Sequence, residues 1–173
     1  MGTPKEQVDW SLHQIAGVGD QILLSLKAQG LNLAPTLERD KTLLKTGYAV
    51  VTLALRTKPT LPSIETQRSL RNALKGALLS AMRKEHHKHA IDENALGASM
   101  VNQVELELSA IEATVTEAAH QLRQGTPTPC ASFLQHLSPL IKESPAAADA
   151  LGSELEKLFS KVNQALPVQD LLL

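Results

Sequence analysis

From Asp92 to Gln124 the chain runs without a proline, and Leu96, Met100, Val104, Leu108, Ile111, Val115 and Leu122 recur along it at helical intervals. Side chains so spaced share one face of an α-helix, whereas a strand alternates its faces at every second residue. The segment predicts a helical rod of about 45–50 Å at 1.5 Å per residue. A rod with one long apolar stripe must bury it against other elements, and the rest of the chain supplies more of the same.

The first such partner is marked by its cap. Thr3, Pro4 and Glu6 form a Thr-Pro-x-Glu start, in which the hydroxyl accepts an orphan amide and proline is pre-set for the first turn. Val8, Leu12, Ile15, Gly19, Ile22 and Leu26 then make a heptad-like stripe, and Gly30 stands where a helix ends. Gly17 and Gly19 either interrupt this helix or let another approach closely. A second helix is expected over about Leu37–Arg56, with Leu44, Val51 and Leu55 inward. Pro59 and Pro62 stop it, and Ser63 caps a third helix to about Ala90 with Leu70, Leu74, Ala77, Leu78 and Ala81 inward. Asp92 is read as the cap of the fourth helix and Gly125 as its end. A short fifth helix, about Cys130–Glu143, is expected to bend at Pro139. Ser144 and Pro145 start a sixth, with Leu151, Leu155, Leu158, Phe159, Val162 and Leu166 inward.

The palette agrees with helices. Aromatic residues make up only 2% of the 173 residues, so Leu and Ala build the core, and these enter helices at little cost. The expected fold is all-α: a single bundle of five to six amphipathic helices, mostly antiparallel, with two long central helices. One domain spans residues 1–173, with possible hinges at 57–63 and 125–129. A net charge of −1 gives no field that steers the chain toward nucleic acid or anionic membrane. Cys130 is the single cysteine, so no internal disulfide forms. No apolar run spans a bilayer and no apolar leader is read in the opening residues. A cytoplasmic protein, or a secreted effector acting in a host cytosol, is the expectation.

Charge is segregated between two helices. Arg68, Arg71, Lys75, Arg83 and Lys84 lie on the third, and Glu105, Glu107, Glu112 and Glu117 on the fourth. Arg68, Arg71, Lys75 and Arg83 share one side of a helical projection, opposite the leucines. They form either a binding strip for an acidic partner or phosphates, or a solvated face partly paired with the acidic helix in an antiparallel hairpin. No aromatic residue accompanies them, so nucleic-acid bases have nothing to stack on. His86, His87 and His89 form a cluster whose mutual repulsion near pH 6 makes a pH-sensitive helix end conceivable. Glu85 and His89 alone do not make a metal site, and no metal is expected. Cys130 lacks a base on its face, and Ala16-Gly-Val-Gly-Asp20 lacks the strand and lysine of a phosphate loop, so neither points to catalysis. Trp10, Leu171 and Leu172 are apolar groups near the chain ends that either dock on this chain or anchor a partner.

The segments Gly30-Leu-Asn-Leu-Ala-Pro35 and Pro127-Thr-Pro129, each leading into a helix, loosely resemble the helical exchange factors that bacteria inject into host cells. That resemblance implies action on a host small GTPase. The glycine–alanine loop that such factors insert is not recognisable. Taken together, the residues favour a non-enzymatic interaction module (an adaptor, assembly subunit or regulator) that packs helices against another protein or against itself. It needs no cofactor and no small-molecule substrate. A GTPase-modulating effector and a nucleic-acid-associated regulator using the basic helix remain the alternatives.

Overall fold

The computed structural model describes residues 3–57, 63–88, 93–141 and 144–165, leaving aside the side chains of 86–88 and 93–96. Six α-helices carry these residues: α1 (Pro4–Ala28), α2 (Leu37–Arg56), α3 (Ile64–Lys88), α4 (Glu93–Arg123), α5 (Leu134–Ile141) and α6 (Pro145–Ala165). A 3-10 turn over Pro129–Phe133 precedes α5. Among the described residues there is no strand. None of the described helices is long and apolar enough to cross a membrane.

Local chemistry sets most of the ends. Thr3 Oγ1 accepts from the Glu6 amide at 3.2 Å, and Ser63 Oγ accepts from the Thr66 amide at 3.1 Å. Gly30 closes α1 at φ 84°, where glycine carries no Cβ penalty. Its amide reaches the Lys27 carbonyl while the Leu31 amide reaches that of Leu26. Gly125 closes α4 in the same way at φ 86°. The Asp92 cap and the 58–62 part of the first hinge lie outside the described residues.

The expected fifth helix is divided. Residues 129–133 wind as a 3-10 turn and only Leu134–Ile141 is α-helical, with Pro139 inside it. Proline cannot donate to the carbonyl four residues back. Ser138 compensates, because its hydroxyl donates to that Gln135 carbonyl at 2.9 Å. The helix therefore continues through the proline to Ile141 before it stops.

α2 lies at the centre. It touches α1, α3, α4, α5 and α6, which surround it as a ring. Thr46, Gly47, Tyr48, Ala49, Val50 and Val51 are all buried, so every side of the helix is covered over that stretch. The expected one-sided stripe of Leu44, Val51 and Leu55 understates this. Leu44 and Leu55 are only partly buried, whereas the polar Thr42 and Thr46 are inside. Thr46 is tolerated there because its hydroxyl donates to the Thr42 carbonyl at 2.9 Å. Among the described glycines Gly47 is the most closely covered, since an added Cβ would sit 2.7 Å from the Ile15 carbonyl oxygen. Gly19 also faces α2, with Leu43 Cβ at 3.5 Å, while Gly17 meets nothing within 4 Å. Neither breaks α1.

Side-chain pairs give the directions. Ile15 meets Gly47 and Gly19 meets Leu43, so α1 and α2 are antiparallel. Arg71 reaches Glu112 and Lys75 reaches Glu105, so α3 and α4 are antiparallel too. Lys41 reaches Glu107 and Arg56 reaches Thr116, which makes α2 and α4 parallel.

Candidate functional site

The charged helices meet along one seam. Arg71 is its hub: Nε donates to Glu112 Oε1 at 3.0 Å and Oε2 at 3.2 Å, and a terminal nitrogen lies 2.9 Å from Glu105 Oε2. Lys75 adds a contact of 2.6 Å to Glu105 Oε1. Tyr48 reaches Glu112 from α2, its hydroxyl donating at 3.4 Å. Two cations thus face two carboxylates, tied to the central helix by a phenol. Hydrogen bonds from Arg71 and Lys75 hold the Glu105 carboxyl down to about 2. Burial, with the Glu112 charge beside it, pushes the Tyr48 phenol up to about 12. Bonds to Glu105 and Glu112 hold the Arg71 guanidinium still more firmly charged.

The basic strip expected on α3 is therefore split. Arg71 and Lys75 turn to α4 and spend their charges within the chain. Arg68 and Arg83 are exposed. Trp10 is partly buried and packs on the core from α1. His89, Leu171 and Leu172 lie outside the described residues, as do the side chains of His86 and His87. Among the described residues no group of three His, Cys, Asp or Glu side chains is placed to hold a metal ion.

Cys130 is a packing residue. Its thiol is buried, and burial together with the nearby Glu156 carboxylate pushes its pKa well above the ordinary range, which suppresses the thiolate. Glu156 Oε1 accepts from the Cys130 backbone amide at 2.7 Å. It thereby caps a 3-10 turn whose Thr128 makes no side-chain cap bond. Burial raises the pKa of Glu156 in turn.

Two features escaped sequence reasoning. One is a second charge cluster on the opposite flank of α4, where Lys41 and Lys45 of α2 face Glu107. Its signal was the four-residue spacing of Lys41 and Lys45, which places both on one side of α2. The other is the outer face of α4. Every exposed position from Ala98 to Thr116 is uncharged, with Leu106 73% exposed near the middle. The acidic residues in that stretch all turn sideways, Glu105 and Glu112 to α3 and Glu107 to α2. By contrast, Lys5, Asp9, Asp20 and Lys27 are exposed on α1, and Asp149, Lys157 and Lys161 on α6. The chain matches no family model, no curated protein and no solved structure.

Proposed function

We propose that this protein is a non-enzymatic helical interaction module, and that it meets its partner through the outer face of α4. The observation that carries the reading is the charge-free stretch from Ala98 to Thr116 around the exposed Leu106. A solvated helix ordinarily shows charge on its outer side. Between Ala98 and Thr116 the charges of α4 are used inside the chain, and the residues left outside are small or neutral. Such a surface costs little to desolvate and lets a second helix pack closely. The partner that fits is an amphipathic helix with an uncharged contact face, on another protein or on a second copy of this chain.

Arg68 and Arg83, exposed on the neighbouring α3, are the basic-strip residues still available to an acidic rim on that partner. A nucleic-acid partner gains less support, because Arg71 and Lys75 are already paired with glutamates. Trp10, half-buried on α1, serves the fold more than a contact.

Capture from a lysate of the source cells tests the reading, with Leu106→Lys compared against wild type and against Arg68→Ala/Arg83→Ala. A stoichiometric partner held by wild type and lost by Leu106→Lys, with unchanged helicity, supports the α4 face. Sedimentation of the two proteins applies the same criterion to self-association. A partner lost only with the arginines would move the contact to α3. A partner retained by both variants would contradict the reading.

A further inference from the structure

The outer face of α4 follows a regular pattern. Ser99, Asn102, Leu106, Ser109, Ala113 and Thr116 are all exposed and succeed one another at alternating intervals of three and four residues. That is the spacing of a coiled-coil seam, here turned outward. Its middle falls between Leu106, the one bulky residue, and the small Ser109. Two such seams running antiparallel about a two-fold axis at that point pair Ser99 with Thr116, Asn102 with Ala113 and Leu106 with Ser109. The leucine of each copy then seats on a serine of the other, on both sides of the axis. Run parallel, the seams would stack Leu106 on Leu106 and hold the small residues around it apart.

The charges around the face agree with the antiparallel arrangement. A symmetric contact brings a surface against itself, so a charged face would repel its copy, whereas this one has no exposed charge from Ala98 to Thr116. Arg71, Lys75, Glu105 and Glu112 in the adjoining seam are already paired with one another. Just past one end of the face stands the exposed Glu117. Lys75 lies against Glu105 on the antiparallel α3, so Arg83, eight residues further on, falls beside the other end, near Gly97 and Ala98. It too is exposed. Antiparallel association therefore brings Glu117 of each copy to Arg83 of the other, twice by symmetry, while a parallel one sets Glu117 against Glu117.

We infer that this protein forms a two-fold dimer in which α4 packs antiparallel on α4 of a second copy, closed at both ends by Glu117–Arg83 pairs. The inference rests on the α4 face being the contact surface and commits that face to one partner. The face is about 27 Å long and one helix of about 10 Å wide. The exposed residues of α3 beside it, Ser69, Asn72, Gly76 and Ser80, are uncharged and widen it. Even so it falls short of the roughly 800 Å² per partner of a standard interface, so the dimer is weak and reversible.

The test is sedimentation velocity of the full chain over about 1–500 μM at low salt. The expected result is a reversible monomer–dimer equilibrium with a Kd of about 10–100 μM. Leu106→Lys should weaken it at least about tenfold. Glu117→Arg and Arg83→Glu should each weaken it about fivefold, and the two together should restore the wild-type Kd, because the exchanged charges again oppose one another. All three positions are exposed, and circular dichroism checks that helicity is unchanged. A wild-type chain that stays monomeric over the whole range overturns the inference. It leaves the α4 face to another protein, which the lysate capture with Leu106→Lys decides separately. A dimer unaffected by Leu106→Lys overturns the inference as well. So do single charge variants that the double variant fails to rescue.

Discussion

The two flanks of α4 solve the same problem differently. Toward α3, Arg71 and Lys75 face Glu105 and Glu112, charge for charge, and nearly every contact is a hydrogen bond. Toward α2, Lys41 and Lys45 face Glu107 alone, and polar atoms of Glu107 and of His136 on α5 are left without partners. The first is a closed network whose members satisfy one another, which fixes the register of the hairpin. The second is open and cationic. The comparison teaches that a count of ion pairs says little by itself, since a matched cluster holds a fold together and an unmatched one leaves a charge that the fold must bear.

Removing a partner from the closed flank should have the largest effect. Glu112→Ala takes two bonds from Arg71 and the Tyr48 contact together, and should cost about 2 kcal/mol of unfolding free energy in urea. A loss below about 0.5 kcal/mol would mean that the seam is a solvated surface and not a clamp. On the open flank, Glu107→Gln should cost about 1 kcal/mol, because two ammonium groups then repel across a partly buried space. The same variant should lower the His136 pKa further, which a ring titration by NMR detects.

Acid should attack the two flanks in sequence. His136 is depressed in the folded chain, so its contribution is present above the usual histidine value of 6.5 and is lost as pH falls below it. Glu105 is also depressed, from 4.5 to about 2, so its contribution is lost between those values. Thermal melts should therefore show a first decline below about pH 6.5 that shrinks in His136→Gln. A second decline, below about pH 4.5, should shrink in Glu105→Gln. A first decline unchanged by His136→Gln would place its origin on other histidines.

Much of this architecture was legible in the residues, and what was not has a common cause. The caps at Thr3 and Ser63 and the stops at Gly30 and Gly125 rest on neighbours within a turn or so, so local spacing reveals them. The stripe of α4 is likewise buried from Met100 through Val104, Leu108, Ile111 and Val115, with Leu122 partly buried and the Leu96 side chain outside the described residues. The central place of α2 was not legible, because being covered on every side depends on where five other elements settle. Its threonines and lysines made it look like one more amphipathic helix. The Glu156 cap on Cys130 joins residues 26 apart, and the Lys41–Glu107 pair joins residues 66 apart. The opposition of basic and acidic helices was visible in outline, but which cations remain outside was set by the hairpin register, and it left Arg68 and Arg83 outward.

The most direct test of the contrast uses one chemical change on both flanks. Lys75→Met and Lys45→Met each remove an ammonium and keep the stem, and urea unfolding of the two is compared under identical low-salt conditions. Lys75→Met should lose about 0.5–1 kcal/mol, as a cation leaves a balanced network. Lys45→Met should be neutral or slightly stabilising, as a surplus charge leaves a crowded one. Equal losses at the two positions would contradict the account and make the flanks of α4 electrostatically alike.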